Sequence, residues 1–262
     1  MMIPKIIHFT WFSNEVYPQK VRECIDSWKQ YMPDYEIIHW DMNRIKDIGI
    51  PFLKEALAAK KWAFAADYIR LYAVYHYGGI YLDTDVQVYK SFDTMLDKEC
   101  FIGRENSWHF ANGHDTVCYL GSHCFGAVKG HPFIGDALEY YNSIQFLKTD
   151  NPNVPNVLKQ NITIIPYIQA EYARKYGYNW NYSAPQHQLL ENGIEIYPCN
   201  YFDGMAGDPE AYCVHLAVGS WREEYNTYAD NTISWKYKIE WRIIALLKKI
   251  LRKHQYDIIK IT

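Results

Sequence analysis

Residues 60 to 77 run without a single Gly or Pro, then come Gly78-Gly79 and Ile80-Tyr81-Leu82-Asp83-Thr84-Asp85-Val86; no other stretch constrains this chain as much. The first part is dominated by Ala and large apolar residues, and Phe64, Ile69, Leu71, Ala73 and Val74 fit a helix buried on most sides. The glycine pair ends it as a glycine C-cap does. A short apolar strand follows. Side chains alternate in extended backbone, so Asp83 and Asp85 are expected on the same side of that strand. Two carboxylates so close repel each other unless a cation lies between them. A hard divalent ion bound through oxygen is the usual solution, and such ions also hold phosphates. Inside the helix, Asp67 and Arg70 are three residues apart and share a face. An acid and a base in so apolar a helix cost free energy unless they pair or meet a polar ligand. The sequence permits either an internal ion pair or a ligand-binding pair, and the neighbouring Asp-Thr-Asp favours the ligand.

The rest of the first half reads as alternating strands and helices. Residues 3 to 11 form an apolar run with no helical period, hence a buried first strand. A turn over 14–18 leads into a helix over 19–31, ended by Met32-Pro33. Residues 35–40 read as a second strand and 51–60 as another helix. That order opens a parallel, doubly wound sheet, whose ligands bind at the carboxyl ends of the strands. Trp11, Trp40 and the Asp83/Asp85 pair are therefore expected around one crevice. Beyond Asp93 the pattern loosens, with short strands over 118–128 and 193–199 and a helix over 132–142.

Four pieces together resemble the glycosyltransferases with a DXD-containing sugar-binding region, and more distantly the glucosylating domains of clostridial toxins. They are Ile3-Pro4-Lys5-Ile6-Ile7-His8-Phe9-Thr10-Trp11, Asp67-Tyr68-Ile69-Arg70, the Gly-Gly-Ile-Tyr-Leu-Asp-Thr-Asp block, and His215-Leu216-Ala217-Val218-Gly219-Ser220-Trp221. The resemblance implies a GT-A type α/β fold with a Rossmann-like central sheet. It implies a retaining enzyme that moves a hexose or N-acetylhexosamine from a nucleotide-diphospho-sugar, a UDP-sugar by analogy, with Mn²⁺ or Mg²⁺. The acceptor it implies is a glycan or a lipid-linked saccharide in bacterial surface polysaccharide synthesis. By the same resemblance Asp85 ligates the metal, Asp83 reaches it through water or holds the ribose, and His215 is a third ligand. Asp67 and Arg70 hold the sugar hydroxyls. Thr10, Trp11, Tyr81, Ser220 and Trp221 line the nucleotide and diphosphate, with Trp11 stacking on the base. The segment Gly121-Ser122-His123-Cys124-Phe125-Gly126 departs from the pattern of those relatives and is left without a role.

Charge is uneven along the chain. From Trp235 to Thr262 there are eight Lys or Arg against two acids, a charge of +6 that leaves −9 on the remainder of a chain whose net charge is −3. Apolar residues recur there at helical spacing, so 235–262 reads as a basic amphipathic helix beside a catalytic domain over 1–234. Such a helix either docks on an anionic membrane surface or packs on the acidic body. The acidic remainder argues against nucleic acid as a partner. Six cysteines without close spacings read as reduced thiols. With no apolar leader at the start, they give the expectation of a cytoplasmic protein, peripheral on the inner face of the membrane. A haloacid-dehalogenase-type phosphatase also uses Asp-x-Asp, but needs the pair on its first strand and Thr or Val where Gln87 stands. A catalytically silent carbohydrate-binding protein, or an effector that glycosylates a protein, would carry the same set of residues.

Overall fold

The computed structural model describes residues 2–13, 15–111, 115–151 and 159–217. Ser220, Trp221 and the basic segment 235–262 lie outside them, as does any boundary at residue 234. The described elements are β1 (Ile6–Thr10), α1 (Gln19–Tyr31), β2 (Glu36–Trp40), α2 (Pro51–Ala58), α3 (Trp62–Tyr77), β3 (Gly79–Leu82) and β4 (Val86–Val88). After them come β5 (Cys100–Ala111), β6 (Asp115–Ala127), α4 (Pro132–Asn142), α5 (Ile165–Ala173), β7 (Gln188–Leu189), β8 (Ile194–Tyr197), α6 (Cys199–Phe202) and β9 (Cys213–His215).

Seven strands form one sheet in the order β2-β1-β3-β6-β5-β8-β7, and β4 pairs with β9 in a separate two-stranded ribbon. β1 lies parallel to both β2 and β3, as the doubly wound reading requires. Beyond β3, where the sequence pattern loosens, the sheet becomes mixed: β6 runs antiparallel to both β3 and β5. Only three residues separate β5 from β6, too few for the crossover that parallel pairing requires. The result is a mixed α/β sheet in which β2, β1, β3, β5 and β8 share one direction.

Alternation along the strands sends residues to two cores. Ile80 and Leu82 join Val21, Ile25 and Trp28 of α1, while Tyr81, Cys100 and Ile102 join α2, α3 and α4 on the other side. Helices therefore cover both faces of the sheet. The α3–β3 junction depends on glycine. Gly79 has φ +104°, and a Cβ there would lie 2.7 Å from the Ile6 carbonyl oxygen, which lets β3 enter the sheet immediately after the helix.

Two expectations change at the strand ends. Asp83 and Asp85 do not continue β3: the Val86 N–H donates to the Asp83 carbonyl at 3.0 Å, closing a turn over 83–86. The Asp-Thr-Asp turn does not share the cleft of Trp11, and neither does Trp40. Its ring is buried against Tyr72 and Tyr77, with its indole N–H donating to His8 Nδ1 at 3.2 Å.

Candidate active site

The chain leaves β1 toward β2 on one side and later enters β3 on the other, so the gap between β1 and β3 is the switch point of the parallel region. Thr10 ends β1 and the Asp-Thr-Asp turn follows β3, both at the carboxyl edge. From that turn β4 pairs with β9, with Val86 opposite His215. The Leu216 N–H donates to the Asp85 carbonyl at 2.9 Å, and the Trp28 indole N–H of α1 donates to the Val86 carbonyl at 2.7 Å. These bonds set His215 against the turn, with Nε2 3.2 Å from Asp85 Oδ1. One ligand atom each from Asp83, Asp85 and His215 fall within 4.8 Å of one another. Burial opposes charge on the His215 imidazole, but Asp85, with Asp83 and Asp203, together outweigh it and raise its pKa. The His123 ring stacks on it, centroids 4.7 Å apart and planes 9° from parallel, and its pKa is held down by burial and by the charge of His215.

Behind the turn, Arg70 is buried and joins the acids into a network. Its Nη2 meets Asp67 Oδ1 at 3.2 Å, and its Nη1 meets Asp83 Oδ2 at 3.2 Å and the Ser122 carbonyl at 2.8 Å. The guanidinium also lies 4.7 Å from the centroid of the Tyr81 ring. Tyr81 Oη donates to Asp83 Oδ1 at 2.9 Å and lies 3.1 Å from Thr10 Oγ1. Both carboxylate oxygens of Asp83 are thus fixed by the protein. Burial pushes the Asp67 carboxyl up to about 7, Arg70 opposes that shift, and Asp83 adds to it. Arg70 stays charged despite its burial because Asp83, Tyr81 and Asp67 surround it.

Two carboxylates and one imidazole so close together form a donor set that a divalent cation accepts. One guanidinium facing Asp67 and Asp83, with Asp85 beyond it, leaves surplus negative charge at the turn for a cation to balance. Trp11 lies in a separate cleft of about 280 Å³ with Tyr17 and His39, its ring 5.3 Å from that of Tyr17. Its indole N–H is buried without a hydrogen-bond partner.

The structure therefore brings together Asp67, Arg70, Tyr81, Asp83, Asp85, His215 and Thr10, with Trp11 at the end of β1. Thr10 and Tyr81 are hydrogen-bonded to each other, and Tyr81 to Asp83, a link that spacing alone does not reveal. Sequence reasoning misses His123 altogether. Its only signal is its place in the segment that departs from the resembled pattern.

Residues 18–102 match the family described as glycosyltransferase sugar-binding region containing DXD motif. The chain is 33% identical over 140 residues to inositol phosphoceramide mannosyltransferase 3 of Schizosaccharomyces pombe, a match covering 50% of this chain and 35% of that protein. It is 31% identical over 140 residues to a mannosyl phosphorylinositol ceramide synthase of Saccharomyces cerevisiae, covering 50% and 33%. The matched region thus spans about a third of the length of these curated relatives. Both are fungal proteins named for mannosyl transfer to a ceramide lipid, where the resemblance implied an acceptor in bacterial polysaccharide synthesis. Among solved structures, the PaToxG glycosyltransferase superposes with a TM-score of 0.46 and 20% identity over 66% of this chain and 70% of its own.

Proposed function

We propose that this chain, whose residues 18–102 match the DXD-containing glycosyltransferase sugar-binding family, is a metal-dependent glycosyltransferase that moves a hexosyl unit from a nucleotide-diphospho-sugar to a saccharide hydroxyl. The observation that carries the proposal is the convergence of Asp83, Asp85 and His215 within 4.8 Å, with the buried Asp67–Arg70 pair directly behind them. In the reaction the bond from the anomeric carbon to the diphosphate oxygen breaks and a bond to the acceptor oxygen forms. The acceptor's proton passes to the departing diphosphate, and the anomeric configuration is retained. Asp85, His215 and Asp83 are the residues that would hold the cation, which when bound supplies Lewis-acid stabilisation of the leaving diphosphate.

The protein's own groups position the donor. Asp67 presents a buried carboxyl whose ionisation is costly, and sugar hydroxyls donating to it lower that cost. Arg70 holds Asp67 and Asp83 in fixed relation and offers further N–H donors to the sugar. Trp11 offers a ring face for the base and an indole N–H that has no partner in the protein. Ser220 and Trp221 lie outside the described residues, and their assignment to the diphosphate rests on the family resemblance alone.

For the acceptor, the names of the fungal relatives favour a lipid-borne headgroup and a mannosyl donor over a bacterial polysaccharide and a UDP-hexose. No described helix is long and apolar enough to cross a membrane. On its sequence alone, the basic segment 235–262 is the part we assign to an anionic membrane surface, with packing on the acidic body as the alternative. Hydrolysis of a panel of UDP- and GDP-hexoses with and without Mn²⁺ tests the proposal. Cation-dependent release of one nucleotide is the expected result. A panel without any turnover or binding overturns it.

A further inference from the structure

On the far side of α3 from the acidic turn lies a cleft of about 360 Å³, large enough to fall within the range of small-molecule sites (about 300–1,000 Å³). Tyr68 and Tyr72 line it from one face of α3, whereas Asp67 and Arg70 leave the helix roughly 150° away at 3.6 residues per turn. Tyr72 and Tyr77 form its aromatic walls, backed by the buried Trp40, whose ring centroid lies 5.8 Å from that of Tyr72 and 5.6 Å from that of Tyr77. Tyr77 is 47% exposed. At the rim stand Arg44, whose guanidinium lies 5.6 Å over the Trp40 ring, and Asp47.

We infer that this cleft is a second, non-catalytic saccharide site that takes a neutral mono- or disaccharide unit. Its chemistry selects for that class. Aromatic faces suit the C–H faces of a pyranose ring, as they suit any flat apolar surface. Among the described residues, the hydroxyls of Tyr68, Tyr72 and Tyr77, the Arg44 guanidinium and the Asp47 carboxylate make no side-chain hydrogen bond, so a ring of donors and acceptors is available to sugar hydroxyls. One cation against one anion at the rim gives no net preference for phosphate, and the polar rim disfavours a lipid tail. With α3 between the two sites, a saccharide held here lies apart from the acidic turn, so the cleft retains the protein on a glycan without taking part in the chemistry. Binding there does not depend on the acidic turn being catalytic.

Saturation-transfer NMR and calorimetry on the full chain, with methyl mannoside, methyl glucoside, mannobiose, cellobiose and lactose as probes, test it. The expected result is binding of at least one probe, weakened at least fivefold by Tyr77→Ala, largely kept by Tyr77→Phe and unchanged by Asp85→Asn. Asp47→Asn, on an exposed loop, gives a second reading should Tyr77→Ala misfold, with a similar loss expected. No binding of any probe overturns the inference. So does binding lost in Asp85→Asn but intact in Tyr77→Ala and Asp47→Asn. Donor hydrolysis measured on the same proteins is expected to survive in the cleft variants, which separates failure of this site from failure of the acidic one.

Discussion

Replacing Arg70 by Met tests whether the network behind the acidic turn is electrostatic. Met fills much of the same volume but removes the contacts to Asp67, Asp83 and the Ser122 carbonyl and leaves two carboxylates without their cation. Breaking a buried ion pair from one side costs about 3–5 kcal/mol, against a total stability of about 5–15 kcal/mol for a typical domain. The sign of its pH dependence follows from Asp67. Its folded pKa already stands at about 7 against an ordinary 3.8, because burial outweighs Arg70, and removing Arg70 raises it further. A carboxyl raised in the folded state contributes stability that is complete below its unfolded pKa and disappears as pH rises through the folded one. Arg70→Met should therefore lose most stability near pH 8 and clearly less near pH 5, where the carboxyl can take up a proton. Urea unfolding at the two pH values, beside wild type, measures both the loss and its slope. Adding Asp67→Asn should recover more than about 1 kcal/mol at pH 8, since one uncompensated charge is then gone. A loss under about 1 kcal/mol, the same at both pH values, would show that Arg70 fills space and does not balance charge.

Three further perturbations probe the rest of the site and the fold that carries it. Asp85→Asn should lower donor turnover at least about 100-fold with an unchanged circular dichroism spectrum, and should abolish the stabilisation by Mn²⁺, worth about 2.7 kcal/mol at one hundred times its Kd. Full Mn²⁺ stabilisation of that variant in a melting assay would remove Asp85 from the ligand set. Trp28→Phe deletes the indole N–H that donates to the Val86 carbonyl at 2.7 Å and should cost about 1–3 kcal/mol in denaturant unfolding. Because that bond secures β4, Mn²⁺ affinity should fall too, and an unchanged affinity would uncouple α1 from the turn. Gly79→Ala would place a Cβ 2.7 Å from the Ile6 carbonyl oxygen at φ +104°, so a loss of about 2 kcal/mol or more is expected; a stability equal to wild type would mean that β1 and β3 yield more readily than their pairing implies.

The parts of the fold legible in the sequence are those with their own punctuation. α1 begins after Pro18 and ends before Pro33, α4 begins on Pro132, and α3 stops at Gly78, so their limits follow from local chemistry. β5 is not legible. Gly103, Arg104 and Glu105 interrupt its alternation, and its length comes from pairing with β6 through register shifts, which no periodic pattern records. β4 and β9, three residues each, are too short to show a period at all. The site divides in the same way. Asp67, Arg70, Asp83 and Asp85 lie within nineteen residues of one another and can be grouped by spacing. His215 joins them only because the β4–β9 ribbon pairs it with Val86 across about half of the chain, and only the family resemblance points to it in advance.

The turn at 83–86 explains why two aspartates of one motif differ in their surroundings. Had β3 continued, alternation would have kept Tyr81, Asp83 and Asp85 on one face, with both acids competing for Arg70 and Tyr81. Alternation holds as far as Asp83, whose two oxygens accept from the Tyr81 hydroxyl and the Arg70 guanidinium. The turn then carries Asp85 away from that network and toward β9, where its Oδ1 meets His215 at 3.2 Å. One acid is thereby oriented and neutralised by the protein, while the other keeps its charge beside an imidazole that can release its proton when a metal binds. A strand continued through Asp85 would instead leave the two carboxylates equivalent on one face and take Asp85 away from His215.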